Sequence, residues 1–93
     1  MYKLPESINI NQIDEIRKDL LSYINQLSEE KSEVILDCGT VKDIDAAGIQ
    51  LLISVLIMVK RRELDINLIN TEDLNYIFRI TGLKNFIRGI KNE

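Results

Sequence analysis

The chain has 93 residues, of which 45 % are hydrophobic and 29 % charged, values typical of one globular domain that buries a core without cross-links. A net charge of −3 disfavours a nucleic-acid partner, and a single cysteine, Cys38, rules out an intrachain disulfide. Because the chain has no histidine, Cys/His zinc sites and His-based catalytic triads are excluded, and we expect no metal and no cofactor.

No segment of the sequence is typical of a leader or a membrane span. The first ten residues, MYKLPESINI, lack the long apolar core and the cleavage signal of a secretory leader. The longest apolar-rich run, residues 49–59, is shorter than the roughly 20 residues that a membrane-spanning helix needs. We therefore expect a soluble cytoplasmic protein without a membrane-inserted segment.

The first half of the chain predicts a short strand, a helix and a longer strand. Alternation over residues 7–10, just after Pro5, indicates a brief edge strand. From Asn11, the expected N-cap, apolar side chains recur every three or four residues, which is typical of a helix with one buried face. That face consists of Ile13, Ile16, Leu20, Ile24 and Leu27. The apolar run EVILDC, residues 33–38, then predicts a central strand buried on both faces.

The second half of the chain repeats the alternation of strand and helix. Residues 65–70, DINLIN, predict a second buried strand. A short helix follows over residues 71–81, capped by Thr71 or Asn70 and ended by Gly82, with an apolar face of Leu74, Ile77 and Phe78. Residues 85–90, NFIRGI, predict a last strand or part of a helix.

This alternation is typical of parallel βαβ units with right-handed crossovers. We expect a single α/β domain over residues 1–93, with a sheet of about four strands and helices on its faces. The N-terminal strand should be short.

The segment VKDIDAAGIQLLISVLIMV, residues 41–59, places the only two alanines of the chain, Ala46 and Ala47, at the start of a helix. Asp45 is the expected N-cap, accepting hydrogen bonds from the first-turn N–H groups. The small side chains leave the positive end of the helix dipole open to an anion, and Gly48 lets another backbone approach closely. The alternative is that small residues only allow the helix to pack tightly on the sheet, since a glycine-rich phosphate loop is missing.

The helix itself is apolar around most of its circumference. From Ile49 to Val59, nine of the eleven residues are apolar, and only Gln50 and Ser54 interrupt the run. A helix on a sheet needs one apolar face, so we expect another chain to cover part of the remainder. The residues concerned are Ile49, Ile53, Ile57 and Met58. The alternative is that the other helices of this chain cover them.

Two smaller features have structural interpretations. The basic cluster KRRE, residues 60–63, is expected to complement the negative end of the helix dipole, and a phosphate site is the alternative. Cys38 directly follows a strand and is expected to be a small buried hydrophobic residue rather than a reactive thiol.

The stretch EVILDCGTVKDIDAAGIQLL resembles the central segment of STAS domains, the fold of bacterial anti-sigma factor antagonists. The family pattern is a buried strand ending in Asp, a loop, and then Asp-Ser-x-Gly opening an apolar helix. The later stretches LDINLIN and LNYIFRITGLKNFI resemble the next family strand and the helix with its Gly-Leu turn. The resemblance covers nearly the whole chain, with a short N-terminus and without the C-terminal helix of longer members.

The chain departs from this family pattern at its phosphorylation position. In anti-sigma factor antagonists, the residue after the motif's Asp is a serine that a partner kinase phosphorylates, which adds about −1.5 to −2 of charge and changes which partner binds. Here that position is Ala46, and its neighbour, often a second hydroxyl residue, is Ala47. The resemblance therefore implies a domain that has lost its phosphosite and binds its partner constitutively.

The resemblance implies a non-enzymatic protein-interaction module. The partner would be an anti-sigma or switch-type kinase or a chemosensory protein, bound through Lys42, Asp43, Asp45, Ala46, Ala47, Gly48, Gln50 and Ser54. The alternative is a structural STAS subunit that binds the ATPase of an ABC lipid-transport complex. Self-association into a homodimer through the apolar helix is also open. An enzyme or a nucleotide-binding protein is disfavoured by the lack of histidine and of a phosphate loop.

Overall fold

The computed structural model describes residues 1–27, 33–80 and 91–92. The strands in this part of the chain are β1 (Tyr2–Lys3), β2 (Ser7–Ile8), β3 (Glu33–Asp37), β4 (Asp43–Ile44), β5 (Asp65–Ile69) and β6 (Lys91–Asn92). The helices are α1 (Ile13–Asn25), α2 (Ala46–Arg61) and α3 (Asn75–Ile80), and a 3-10 turn over Glu72–Leu74 leads into α3. This order confirms the predicted α/β fold.

Four of the strands form one parallel sheet in the order β1–β3–β5–β6. Val34 of β3 pairs with Ile66 of β5, and Leu36 pairs with both Leu68 of β5 and Tyr2 of β1. The segments predicted as strands at residues 33–38 and 65–70 are therefore the two central strands. The predicted element at residues 85–90 and its neighbour Gly82 lie outside the described residues.

The strand predicted at residues 7–10 is shorter than expected, and it is not an edge strand of the main sheet. Ser7 pairs with Asp43 and Ile8 with Ile44, so that β2 and β4 form a separate two-stranded parallel ladder. The edge strands of the main sheet are β1 and β6. Because β4 directly precedes α2, the ladder fixes the approach of the chain to that helix.

The described helices all pack on one face of the sheet. Leu36 of β3 lines a small internal cavity together with Leu52 of α2 and Phe78 of α3. Tyr23 of α1 stacks on Tyr2, the register partner of Leu36, with the ring centroids 6.1 Å apart. Right-handed crossovers give this arrangement when parallel strands follow one another across a sheet in chain order. The sequence had suggested helices on the faces of the sheet without this restriction.

Burial in β3 follows from that one-sided layering. Val34 and Leu36 point toward the helices and are buried, whereas Glu33, Ile35 and Asp37 are only half-buried. The prediction that this strand is buried on both faces is therefore wrong, because only one face carries the described helices. The helix-side residues of both central strands belong to the hydrophobic core, and their burial stabilises the fold.

Two helix starts differ from the sequence prediction. Asn11 is not the N-cap of α1: the helix begins at Ile13, after Gln12, whose side chain makes no capping hydrogen bond. The N–H of Asn11 instead donates to Oδ1 of Asn9, at 2.9 Å, so residues 9–12 form a turn before the helix. Thr71 precedes the 3-10 turn, as predicted, but its side chain does not cap it.

Candidate functional site

The candidate site is the cap region, residues 42–48, together with the exposed stripe of α2. The cap region consists of β4, the N-cap and the first turn of α2. The exposed stripe consists of Ala46, Gln50 and Ser54, which lie on the side of α2 turned away from the sheet. The pairing of β4 with β2 anchors the cap region to the N-terminal segment of the chain.

Asp45 caps α2, as predicted, and also holds the preceding turn. Its backbone is extended, and its Oδ1 accepts a hydrogen bond from the N–H of Gly48 at 2.9 Å. Its Oδ2 accepts a second hydrogen bond from the N–H of Ile10 at 3.0 Å. One carboxylate thus joins two segments that are 35 residues apart.

The environment of Asp45 favours its ionised form. The hydrogen bond from the Gly48 N–H, reinforced by those from Ile10 and Ala47, lowers the pKa of this carboxyl below its ordinary value of 3.8. A carboxylate at the N-terminus of α2 also interacts favourably with the helix dipole. Because the negative charge of Asp45 already lies at the start of α2, a second anion there would be repelled. The structure adds no support for the alternative that the helix start binds an anion.

Gly48 is required by a close backbone approach, as the sequence predicted. A Cβ atom at this position would overlap the carbonyl oxygen of Ile8 and would lie 2.7 Å from Cγ1 of Ile44. Gly48 is buried, so it shapes the surface without forming part of it. The contact places α2 directly against the ladder of β2 and β4.

The remaining cap-region residues face outward or lie at the edge of the surface. Lys42 and Asp43 have exposed side chains, while their N–H groups both donate to the carbonyl oxygen of Glu6 at 2.9 and 3.1 Å. Ala46 is exposed and Ala47 is half-buried. The backbone of the region is therefore fixed, and its accessible atoms belong to short side chains and two charged ones.

On the exposed stripe, Gln50 and Ser54 are accessible and lie one turn apart. The hydroxyl of Ser54 donates to the carbonyl oxygen of Gln50 at 3.0 Å. The apolar residues that were expected to need a second chain differ in exposure. Ile53 and Met58 pack partly against the core, whereas Ile57 is 36 % exposed. The chain itself therefore covers more of α2 than its composition suggested.

Sequence reasoning missed one apolar side chain beside the cap region. Ile10 is 72 % exposed, and its N–H is held by Asp45. A lone isoleucine between two asparagines, in a segment too short to form a strand, was the available signal. Its proximity to the cap region depends on the pairing of β2 with β4, which local sequence does not reveal.

Cys38 is buried, as the sequence predicted, and the basic cluster lies at the end of α2, where it was expected. Cys38 is buried, and this burial, together with the nearby charge of Asp37, raises the pKa of its thiol to about 11. Such a thiol stays protonated and unreactive at neutral pH. Lys60 and Arg61 lie in the last turn of α2, and Arg62 donates to Oδ1 of Asn25 at 2.8 Å.

Comparison with known proteins identifies the family. A family model described as STAS domain matches residues 1–93. No curated protein shows significant similarity to the chain. Over the described ranges, no group of three or more His, Cys, Asp or Glu side chains is arranged to hold a metal ion. None of the helices within those ranges is both long enough and apolar enough to cross a bilayer.

Proposed function

Because the chain belongs to the STAS domain family, whose members mediate protein–protein interactions, we propose that it is a non-enzymatic interaction module of a bacterial cytoplasmic signalling system. It would act as an anti-sigma factor antagonist does, by docking on a signalling partner through the cap region and the exposed stripe of α2. A switch-type kinase or a chemosensory component is the partner class that this function requires.

The observation that carries the proposal is the position of Ala46. It is exposed, it is the first residue of α2, and it follows an N-cap carboxylate that fixes the local backbone. A serine here would present its hydroxyl to solvent at a defined place, which a kinase needs. Alanine keeps the backbone and removes the acceptor oxygen, so docking through this surface would not be switched by phosphorylation.

The contact residues of this surface can be divided by accessibility. Lys42, Asp43, Ala46 and Gln50 would touch the partner directly, and Ile10 would add an apolar contact beside them. Small side chains at the centre allow a partner's backbone to come close, while flanking charges give orientation. Asp45, Ala47 and Gly48 would act by holding the shape of the cap region, and Ser54 lies at its far margin.

The same observation favours one second candidate. A domain without a phosphorylatable residue also suits a permanent complex, such as a structural subunit bound to the ATPase of an ABC lipid transporter. The two candidates share the docking surface and differ only in the partner.

The substitution Ala46→Glu tests the docking surface without threatening the fold. A carboxylate in the first turn of a helix is favourable to the dipole, so the melting temperature should stay unchanged or rise slightly. At an interface, the same charge would be desolvated without a partner, which we expect to weaken binding at least about tenfold. Tagged wild-type protein and the variant are used for capture from the native lysate, and the lost proteins are identified by mass spectrometry.

Arg79→Glu is the matched control, since it places the same side chain on the exposed surface of α3. We expect the control to capture what the wild type captures. The intact mass of the captured wild-type chain should equal that of the unmodified polypeptide. Equal capture by wild type and Ala46→Glu would contradict the proposed surface, and a phosphorylated chain in the complex would contradict the proposed mode of control.

A further inference from the structure

A second surface of α2 lies between its C-terminal half and α1. Here Leu21 of α1 and Leu51, Val55 and Met58 of α2 line a groove of about 160 Å³ with the stem of Arg17 at its margin. The groove follows the seam between two helices that run side by side, and its walls are almost entirely apolar.

The groove continues into a wider cleft at the end of α2. Ser54 and Met58 belong to both, and the cleft adds Ile57, Arg61 and Arg62, enclosing an open space of about 540 Å³. From Leu51 to Arg62, the continuous surface is about 16 Å long at the rise of an α-helix. This length matches about three turns of a helix laid along the seam.

The charged residues that line this surface have one sign. The charged residues that line the groove and the cleft are Arg17, Arg61 and Arg62, and none is acidic, although the chain as a whole carries a net charge of −3. Arg17 forms a surface ion pair with Asp14 at 3.2 Å, and Arg62 donates a hydrogen bond to the side chain of Asn25. Within the described residues, the guanidinium of Arg61 makes no hydrogen bond and no ion pair.

We infer that this groove binds an amphipathic helical segment of a partner protein, with apolar side chains on one face and Asp or Glu beside them. The apolar side chains would enter between Leu21 and Met58, and the carboxylates would pair with Arg61 and Arg17. Helices are bound in this way by apolar grooves whose charged rims fix orientation. A second copy of the chain in a symmetric pair is disfavoured, because it would bring the same arginines against one another.

This inference does not rest on the proposed function. The groove opens toward α1 at the C-terminal half of α2, and Ala46 lies about 22 Å from Arg61 along the helix. The two surfaces can therefore be tested by different variants, and the failure of one leaves the other standing.

The test is selection from a phage-displayed library of random 16-residue peptides on the immobilised full chain. We expect the enriched peptides to share apolar residues at helical spacing together with at least two Asp or Glu residues. A synthetic peptide of the most enriched sequence is then titrated against the protein by fluorescence anisotropy. Its affinity should fall at least about tenfold in the double variant R61E/R62E and should weaken as salt rises.

Two controls separate the groove from other surfaces. Arg79→Glu reverses a charge on α3, and Ala46→Glu alters the docking surface, and each should change the peptide affinity less than about twofold. Far-ultraviolet circular dichroism confirms that R61E/R62E is folded. The inference is overturned if no acidic amphipathic family is enriched, or if the enriched peptide binds R61E/R62E as well as the wild type. Binding of anionic phosphatidylserine vesicles in place of peptide would also overturn it.

Discussion

At the scale of single residues, Asp45 and Gly48 fix the start of α2 in two different ways. Asp45 accepts hydrogen bonds from Gly48 and from Ile10, and Gly48 lies against the backbone of Ile8. One residue supplies acceptors and the other supplies space. Together they fix the backbone around Ala46, whose side chain is exposed.

Gly48→Ala should be strongly destabilising, which is opposite to the usual effect of this change inside a helix. Alanine normally stabilises a helix relative to glycine by about 1 kcal/mol. Here the added methyl group would overlap the Ile8 carbonyl, and we expect a loss of about 3 kcal/mol in the free energy of unfolding, measured by urea denaturation. Gln50→Ala, two residues on and exposed, should change the stability by less than about 0.5 kcal/mol. A stable Gly48→Ala variant would mean that α2 can move away from the ladder.

Asp45→Asn should make stability less dependent on acid pH. The pKa of Asp45 is lower in the folded protein than its ordinary value of 3.8, so its contribution is complete well above that value. It is lost as the pH falls through the folded-state pKa. We expect the variant to have a lower melting temperature at pH 7 and a shallower fall between about pH 5 and pH 2.

The neighbouring exposed carboxyl provides the control for that prediction. The carboxylate of Asp43 accepts none of the hydrogen bonds of the cap, so Asp43→Asn should leave the melting temperature at pH 7 nearly unchanged. Asp37 contributes acid sensitivity of the same sign, because Asn70 and Gly39 donate to it and lower its pKa. Identical pH profiles for wild type and Asp45→Asn would show that the carboxylate of Asp45 is not ionised in the cap.

At the scale of elements, α2 is a core helix whose outer stripe is the accessible part. Its inner side contributes six buried residues, Gly48, Leu51, Leu52, Val55, Leu56 and Val59. Its outer side exposes Gln50, Ser54 and Ile57 to solvent. The helix therefore stabilises the fold through one side and is available for binding through the other.

Two adjacent residues of α2 test this division. Leu56 is 3 % exposed and Ile57 is 36 % exposed, and both carry four side-chain carbon atoms. We expect Leu56→Ala to lower the free energy of unfolding by about 2–5 kcal/mol because it leaves a cavity. Ile57→Ala should lower it by less than about 1 kcal/mol, and both are measured by chemical denaturation. Equal losses would mean that Ile57 is covered in the folded chain.

The helices and the buried strands could be predicted from the sequence, whereas the pairing of the short strands could not. The repeat of Ile16, Leu20 and Ile24 locates α1 by local pattern alone. The pairing of β2 with β4 depends on contacts between residues more than thirty positions apart, so alternation at residues 7–10 suggested a strand without its partner. The predicted N-cap of α1 was wrong because the N–H of Asn11 donates to the side chain of Asn9, in a turn before the helix begins.

The same distinction holds for the candidate site. Asp45 and Gly48 could be assigned from residue type and position, because capping and close approach each require a particular chemistry. The neighbourhood of Ile10 and the covering of Ile53 and Met58 could not, since both depend on tertiary packing.

At the scale of the whole molecule, a sequentially ordered parallel sheet places the described helices in one layer. The start of α2 then lies at the end of the sheet where the ladder of β2 and β4 supports it, while its C-terminal half runs beside α1. One helix thus carries both proposed surfaces, the docking surface at its start and the arginine-rimmed groove near its end. In the proposed function, this STAS domain binds its partner at the first surface without any covalent change.

The most direct test of that central claim is a calorimetric titration of the unmodified recombinant chain against the partner identified by capture. We expect the wild type to bind without prior phosphorylation and Ala46→Glu to bind at least about tenfold more weakly at an unchanged melting temperature. Equal affinities for the two proteins, or a wild-type chain that binds only after modification, would contradict the assignment of a constitutive docking surface at the start of α2.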